Sequence, residues 1–252
     1  NILWRKSYGE KLLKRSLSFA MMIAVVFSTI IASSFIKANA AETEKAVTLT
    51  QGENTSQHDT VQEAVAAVAA DNTQAVITLN KDFEGAGAVV KKDQNIVFNL
   101  NGFTWNINSL VGSSGTETNG VQLLQGSTVT IENGTLTSKT AKLLIQNYCD
   151  LTIRNATLSG QDNLTEIIVS NNNGSTVITG NSAVQAAAGG IAFDSDKWGG
   201  YQGGNVTLEN GQVIGNVNAT NGGKISLNGG TVTGDVIASN YTCLLYTSPS
   251  PR

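Results

Sequence analysis

Four residues in one short segment carry side chains suited to gripping a ligand. In the stretch Asp194-Ser-Asp-Lys-Trp-Gly-Gly-Tyr-Gln-Gly-Gly204, Trp198 and Tyr201 present aromatic faces on which sugar rings stack. Asp194 and Asp196 accept hydrogen bonds from hydroxyls, and they offer two carboxylates to calcium. That cation takes about six or more oxygens, so the pair alone falls well short of a cage. The competing reading of the same segment is a shield, an aromatic loop folded back over its own strand. Elsewhere the chemistry is thin. His58 is the only histidine, and Cys149 is the only cysteine outside the last ten residues. Arg154 is the only arginine between residues 41 and 242 and has no acidic motif beside it in sequence. No catalytic residue, cofactor site or complete metal-ligand set emerges.

The elements that must position this loop are written as a repeat. An apolar-polar-apolar strand, an Asn or Gly turn, and a further apolar residue recur six times. The copies are Phe98/Leu100/Trp105, Val129/Ile131/Leu136, Leu151/Ile153/Leu158, Val177/Thr179/Val184, Val206/Leu208/Val213 and Ile225/Leu227/Val232. Their second apolar positions are 31, 22, 26, 29 and 19 residues apart, a period that fits a solenoid of stacked coils with loops inserted between strands. The fourth copy is the weakest, and Thr176/Ile178/Ala183 is its alternative register. Asn133, Asn155, Asn181 and Asn210 are expected to align as a turn column, because Asn tolerates left-handed backbone.

A second strand family reads Val121/Leu123, Leu143/Ile145, Ile167/Val169, Ile191/Phe193, Val217/Ala219 and Val236/Ala238. If these residues face inward, the central outward row is Gln122, Leu144, Ile168, Ala192, Asn218 and Ile237. That row is largely apolar and has no carboxylate pair, and Leu144, Ile168 and Ala192 would form a strip continuous with the aromatic loop. The neighbouring row, Lys142, Glu166, Asn216 and Asp235, reads as a solvated edge. Thr130, Thr152, Thr207 and Ser226 form an outer ladder of ordinary sheet chemistry. Ahead of the repeats, Thr60-Val-Gln-Glu63 is a capping-box pattern opening a short amphipathic helix, with Val61, Ala64, Val65 and Val68 on one face. That helix is expected to cover the open edge of the first coil.

The ends read differently. Lys6, Lys11, Lys14 and Arg15, the apolar run from Leu17 to Ile36 and the site Ala38-Asn39-Ala40 describe a secretory signal peptide over residues 1–40. An uncleaved anchor is the alternative, since about 20 apolar residues span a bilayer. The small-residue site favours cleavage and a secreted or cell-surface destination. Residues 41–59 read as a flexible polar lead-in. Residues 243–252, which hold both prolines, resemble the translation of a sequencing adapter, and the native chain is expected to continue past Tyr241. Between residues 41 and 242, nine Lys and Arg stand against eighteen Asp and Glu, a net charge of −9. An acidic surface without a basic cluster argues against nucleic acid as a partner.

The repeat resembles the right-handed parallel β-helix of the pectate-lyase-like superfold, over roughly residues 60–242. The phrase Val97-Phe-Asn-Leu-Asn-Gly-Phe-Thr-Trp105 looks like the first-coil signature of such domains in bacterial surface proteins. The fold class expected is therefore all-β, with a capping helix and an incomplete C-terminal end open to end-to-end self-association. The resemblance covers lyases, hydrolases, adhesins and scaffolds alike. The residues favour a non-catalytic scaffold binding a glycan or a surface protein through Asp194, Asp196, Trp198 and Tyr201. The alternative is a polysaccharide lyase or glycoside hydrolase whose catalytic residues lie beyond this stretch.

Overall fold

The computed structural model describes residues 44–113, 115–160, 165–196, 204–239 and 243–246. The proposed signal segment 1–40 lies outside them. From Lys45 onward the described residues are all-β with one short helix, and their strands lie in two sheets. The first sheet runs through β1 (Val47–Gln51), β2 (Asn54–His58), β3 (Gln74–Leu79), β6 (Asn95–Asn99), β9 (Thr128–Ser138), β11 (Asp150–Gly160), β13 (Ser175–Thr179), β16 (Asn205–Leu208) and β19 (Lys224–Leu227). Alongside it lie β4 (Phe83–Ala86), β7 (Thr104–Ser109), β14 (Ala183–Gln185), β17 (Gln212–Ile214) and β20 (Thr231–Thr233). The second sheet holds β5 (Ala88–Val90), β8 (Asn119–Leu123), β10 (Leu143–Asn147), β12 (Ile167–Asn172), β15 (Ile191–Asp196), β18 (Asn216–Ala219) and β21 (Val236–Ala238). The chain passes from one sheet to the other in every repeat, and all pairings from β3 onward are parallel. This arrangement is compatible with a β-helix-like solenoid.

Parallel pairing stacks like side chains into columns. Ile96, Val129, Leu151, Thr176, Val206 and Ile225 form one, and all are buried. Trp105, Leu136, Leu158, Val184, Val213 and Val232 form another. Two expectations are corrected here. Phe98 aligns with Ile131 rather than Val129, so the first copy begins at Ile96. The weak fourth copy is a hybrid: Thr176 and Ile178 face inward with Val184, and Val177 stands outside beside Thr152 and Thr207. The turn column changes with it. Asn133 and Asn155 have φ of 59° and 51°, but in the following copy the left-handed turn residue is Gly180 at 64°, not Asn181. A side chain at Gly180 would collide with the side-chain Oδ1 of Asn155, which instead accepts a hydrogen bond from Asn181 N at 3.0 Å.

Within the stretch expected to be a flexible lead-in, the described residues form two strands, β1 and β2. β1 and β2 form an antiparallel hairpin, and β1 pairs antiparallel with β3, covering the edge of the first parallel strand. Val47 and Leu49 are buried against the core, which supplies the apolar anchor that a purely polar reading of 41–59 missed. Helix α1 (Val61–Ala67) packs beside them with Val61, Ala64, Val65 and the adjoining Val68 inward. Thr60 Oγ1 accepts from Glu63 N at 3.1 Å, and the Glu63 carboxylate accepts from Asp59 N at 3.1 Å. At the other end of the helix, buried Gln94 donates from Nε2 to the carbonyls of Val65 and Val68, both at 3.0 Å. Seven residues are too few for a helix to stand alone, so these caps and the buried face hold it. Set aside above as foreign to the fold, Cys243–Tyr246 forms a further strand, β22, parallel to β19. An apolar four-residue run beside an open strand edge satisfies the pairing rule whatever its origin.

Candidate functional site

The outer face of the second sheet is not the surface that alternation implied. Val121 pairs with Ile145, Ile145 with Val169, Val169 with Phe193, and Phe193 with Val217. The central outward row is therefore Val89, Gln122, Gln146, Ser170, Asp194, Asn218 and Ile237. Leu144, Ile168 and Ala192, expected on the outside, are fully buried members of the core. Two glycines make room for them. A Cβ at Gly120 would stand 3.4 Å from Leu144 Cδ1, and one at Gly160 would stand 2.8 Å from Ile168 Cδ1.

The two-residue slip has a physical cause. Asn147, Asn171 and Ser195 are polar yet face inward and are completely buried. They align on three successive strands and satisfy one another. Asn147 Nδ2 donates to Asn171 Oδ1 at 2.9 Å, and Asn171 Nδ2 donates to Ser195 Oγ at 3.3 Å and to the Asn205 carbonyl at 3.2 Å. Thr176 joins from the other sheet, its hydroxyl donating to Asn171 Oδ1 at 2.6 Å. Cys149 N donates to Asn147 Oδ1 at 2.9 Å, which ties the buried row to the turn into β11. A rule that sends apolar residues in and polar residues out stops one position short of such a row. The signal was present in the matching tripeptides Ile145-Gln-Asn147, Val169-Ser-Asn171 and Phe193-Asp-Ser195.

Outside, the row is a continuous polar strip. Gln122 Nε2 and Asn119 Nδ2 both donate to Gln146 Oε1 at 2.8 Å. Ser170 Oγ donates to Asn172 Oδ1 at 3.2 Å, and both residues are buried. Asn218 Oδ1 is shielded from solvent without a hydrogen-bond partner. Asp194 stands between Ser170 and Asn218, and Asp196, two residues on, faces the same side opposite Asn172. Asn221 Nδ2 donates to Asp196 Oδ1 at 3.0 Å. Burial, and then the neighbouring Asp196 carboxylate, hold the Asp194 carboxyl above its ordinary value. The outward face thus carries a carboxylate pair, Asp194 in the central row and Asp196 in the next, where the apolar reading expected none in the central row. Trp198 and Tyr201 lie outside the described residues.

The other candidates for chemistry are occupied. Arg154 pairs with Glu132, its in-register neighbour on the adjacent strand, an acid beside it in space though not in sequence. Lys142 pairs with Glu166 at 3.6 Å on the exposed edge. The Cys149 thiol is buried and pushed up to about 12, chiefly by desolvation. His58 Nε2 contacts the Ser56 hydroxyl at 2.9 Å on the β2 edge. Among the described residues no group of three or more His, Cys, Asp or Glu side chains is placed to share a metal ion. Nor is any helix among them long and apolar enough to cross a membrane. A cavity of about 470 Å³ opens beside β1, β2 and the end of α1, lined by Gln51, Asn54, Ser56, Ala67 and Asp71 among others, and Arg154, Lys142, Cys149 and His58 do not line it. No protein-family model matches the chain, and no curated protein or solved structure matches it significantly.

Proposed function

We propose that this chain is an exported, cell-surface or extracellular scaffold, built as a right-handed parallel β-helix of the pectate-lyase-like kind, that binds a glycan without transforming it. One observation carries the reading: Gln122, Gln146, Ser170, Asp194 and Asn218 lie in register on five consecutive strands of one sheet. Strands repeat at about 4.8 Å, so the half-buried Gln122, Gln146, Asp194 and Asn218 of this row stand at regular intervals beside which an extended polyhydroxylated chain could lie. The row carries no Lys or Arg, which favours a neutral polysaccharide over an anionic one. Asp194 and Asp196 lead into the Trp198–Tyr201 segment, where stacking on sugar faces would complete the site. The test is binding to panels of neutral and acidic polysaccharides by affinity electrophoresis. Gln146→Ala and Asn218→Ala are expected to lose retention on the neutral polymers. Unchanged retention in both variants, or preference for acidic polymers, refutes the assignment.

A second reading rests on the Asp194–Asp196 pair. One carboxyl held above the usual range beside a second carboxylate is the pairing that glycoside hydrolysis uses for acid and base or nucleophile. Release of reducing ends from a polysaccharide, abolished by Asp196→Asn, would establish it over the binding-only role. A lyase is the weaker form of the alternative, because Lys142 and Arg154 each already face an acid.

A further inference from the structure

Seven asparagines are followed directly by glycine. In such a pair the unhindered glycine nitrogen can attack the Asn side-chain carbon and close a five-membered imide, so the dipeptide is chemically labile unless the fold prevents closure. Ring closure requires the nitrogen near the carbonyl and the leaving amide free to depart.

At six sites the structure opposes this. Gly102 N is engaged by the Asn133 carbonyl at 2.5 Å, and Gly229 N by the Leu208 carbonyl at 3.1 Å. The leaving amide is tethered in three others: Asn119 Nδ2 to Gln146 at 2.8 Å, Asn133 Nδ2 to Asn99 at 3.4 Å and Asn221 Nδ2 to Asp196 at 3.0 Å. Asn173 has its side-chain oxygen shielded from solvent.

Asn210 is different. Gly211 N donates to the Asn210 side-chain Oδ1 at 2.8 Å, so the carbonyl already lies folded against the nitrogen that would attack it. Asn210 is exposed. Gly211 has φ of 94°, and a Cβ there would stand 2.5 Å from the Ser182 carbonyl oxygen, so the position demands glycine. The next repeat holds the turn from the other side, since a Cβ on Gly230 would lie 3.1 Å from the Asn210 carbonyl carbon.

We propose that Asn210 is a site of spontaneous, structure-selected deamidation. The bond between Gly211 N and Asn210 Cγ forms, the bond from Cγ to Nδ2 breaks, and the glycine amide proton passes through solvent to the departing nitrogen, which leaves as ammonia. Water then adds to the imide and opens it to aspartate or isoaspartate, with no change of oxidation state. Either product places a new carboxylate beside Glu209. The isoaspartyl form also lengthens the backbone by one carbon inside a turn packed between Ser182 and Gly230, and loosens the following repeat.

The experiment is peptide mapping by mass spectrometry of the full chain aged in mildly alkaline buffer, folded and in urea. In the folded protein Asn210 is expected to convert on the order of tenfold faster than any other Asn-Gly site. In urea all seven are expected to react at similar rates. Asn210→Gln removes the folded-state reaction and its share of released ammonia. Conversion of Asn101 or Asn221 as fast as Asn210 in the folded protein, or slower reaction of Asn210 folded than in urea, overturns the proposal.

Discussion

Replacing Asn171 by alanine tests whether the buried amide row holds the two sheets together. The side chain is completely buried and makes four hydrogen bonds, to Asn147, Thr176, Ser195 and the Asn205 carbonyl. Asn147 Nδ2 retains the Ser175 carbonyl at 3.3 Å and the Thr176 hydroxyl at 3.2 Å as acceptors, so its loss is small. The Thr176 hydroxyl loses its acceptor, while Ser195 and the Asn205 carbonyl lose a donor. At about 1 kcal/mol net per bond, with a further penalty for a stranded buried group, the cost is roughly 3–5 kcal/mol. With a urea dependence of about 2 kcal/mol per molar, the unfolding midpoint falls by about 2 M. The control is Thr176→Val, which leaves Asn171 paired with Asn147 and restores an apolar residue between Leu151 and Val206 in their column; its cost is expected near 1 kcal/mol. A loss below about 1 kcal/mol in Asn171→Ala, or an Asn171→Leu variant as stable as the parent, would refute the reasoning, since either would mean the position accepts what simple alternation assigns to it.

Four further outcomes follow from the same contacts. Thr60→Ala removes the acceptor for Glu63 N and is expected to cost about 1 kcal/mol, seen as faster amide exchange in the first turn of α1. Gln94→Ala strips the Val65 and Val68 carbonyls of their buried donor and is expected to cost about 2 kcal/mol in urea unfolding, with exchange in α1 rising while that of β12 is unchanged. Because the Asp194 carboxyl is raised in the folded protein, the folded state holds its proton more tightly than the unfolded chain. Stability is thus lost as pH rises from the unfolded carboxyl value through the folded one, and Asp194→Asn gains on the parent above that window while matching it below; parallel pH–stability curves would contradict this. Cys149, buried and with its thiol at about 12, is expected to resist alkylation at mildly alkaline pH until the chain unfolds, which peptide mapping of iodoacetamide-treated protein reads directly.

Much of the architecture was legible because parallel stacking leaves a one-dimensional trace. Val129, Leu151, Val206 and Ile225 share a column because the same apolar residue recurs at the same step of each repeat, and burial of that column is what the repeat is for. Thr60 and Glu63 were legible for the same reason, since a cap is a contact between near neighbours. The candidate site was legible only in part. Asp194 and Asp196 were picked out by type and spacing, and Asn218 was placed in the outward row, but Leu144, Ile168 and Ala192 were assigned to it in place of Gln146, Ser170 and Asp194.

The amino-acid sequence by itself determined the strand repeat, the first-sheet columns in four of its six copies and the helix with its N-cap, all of which depend on local periodicity. Tertiary structure alone decided which residues of the second sheet stand beside one another across strands. Register there is set by Asn147, Asn171 and Ser195, whose burial is favourable only because each finds its partner on a strand more than twenty residues away, as in the Asn147–Asn171 and Asn171–Ser195 bonds. Because side chains alternate along a strand, moving the pairing by two residues preserves the pattern of every strand while changing every neighbour across strands. That shift aligned Gln146, Ser170, Asp194 and Asn218 in one row, while Leu144 and Ile168 are buried where the ladder passes over their positions.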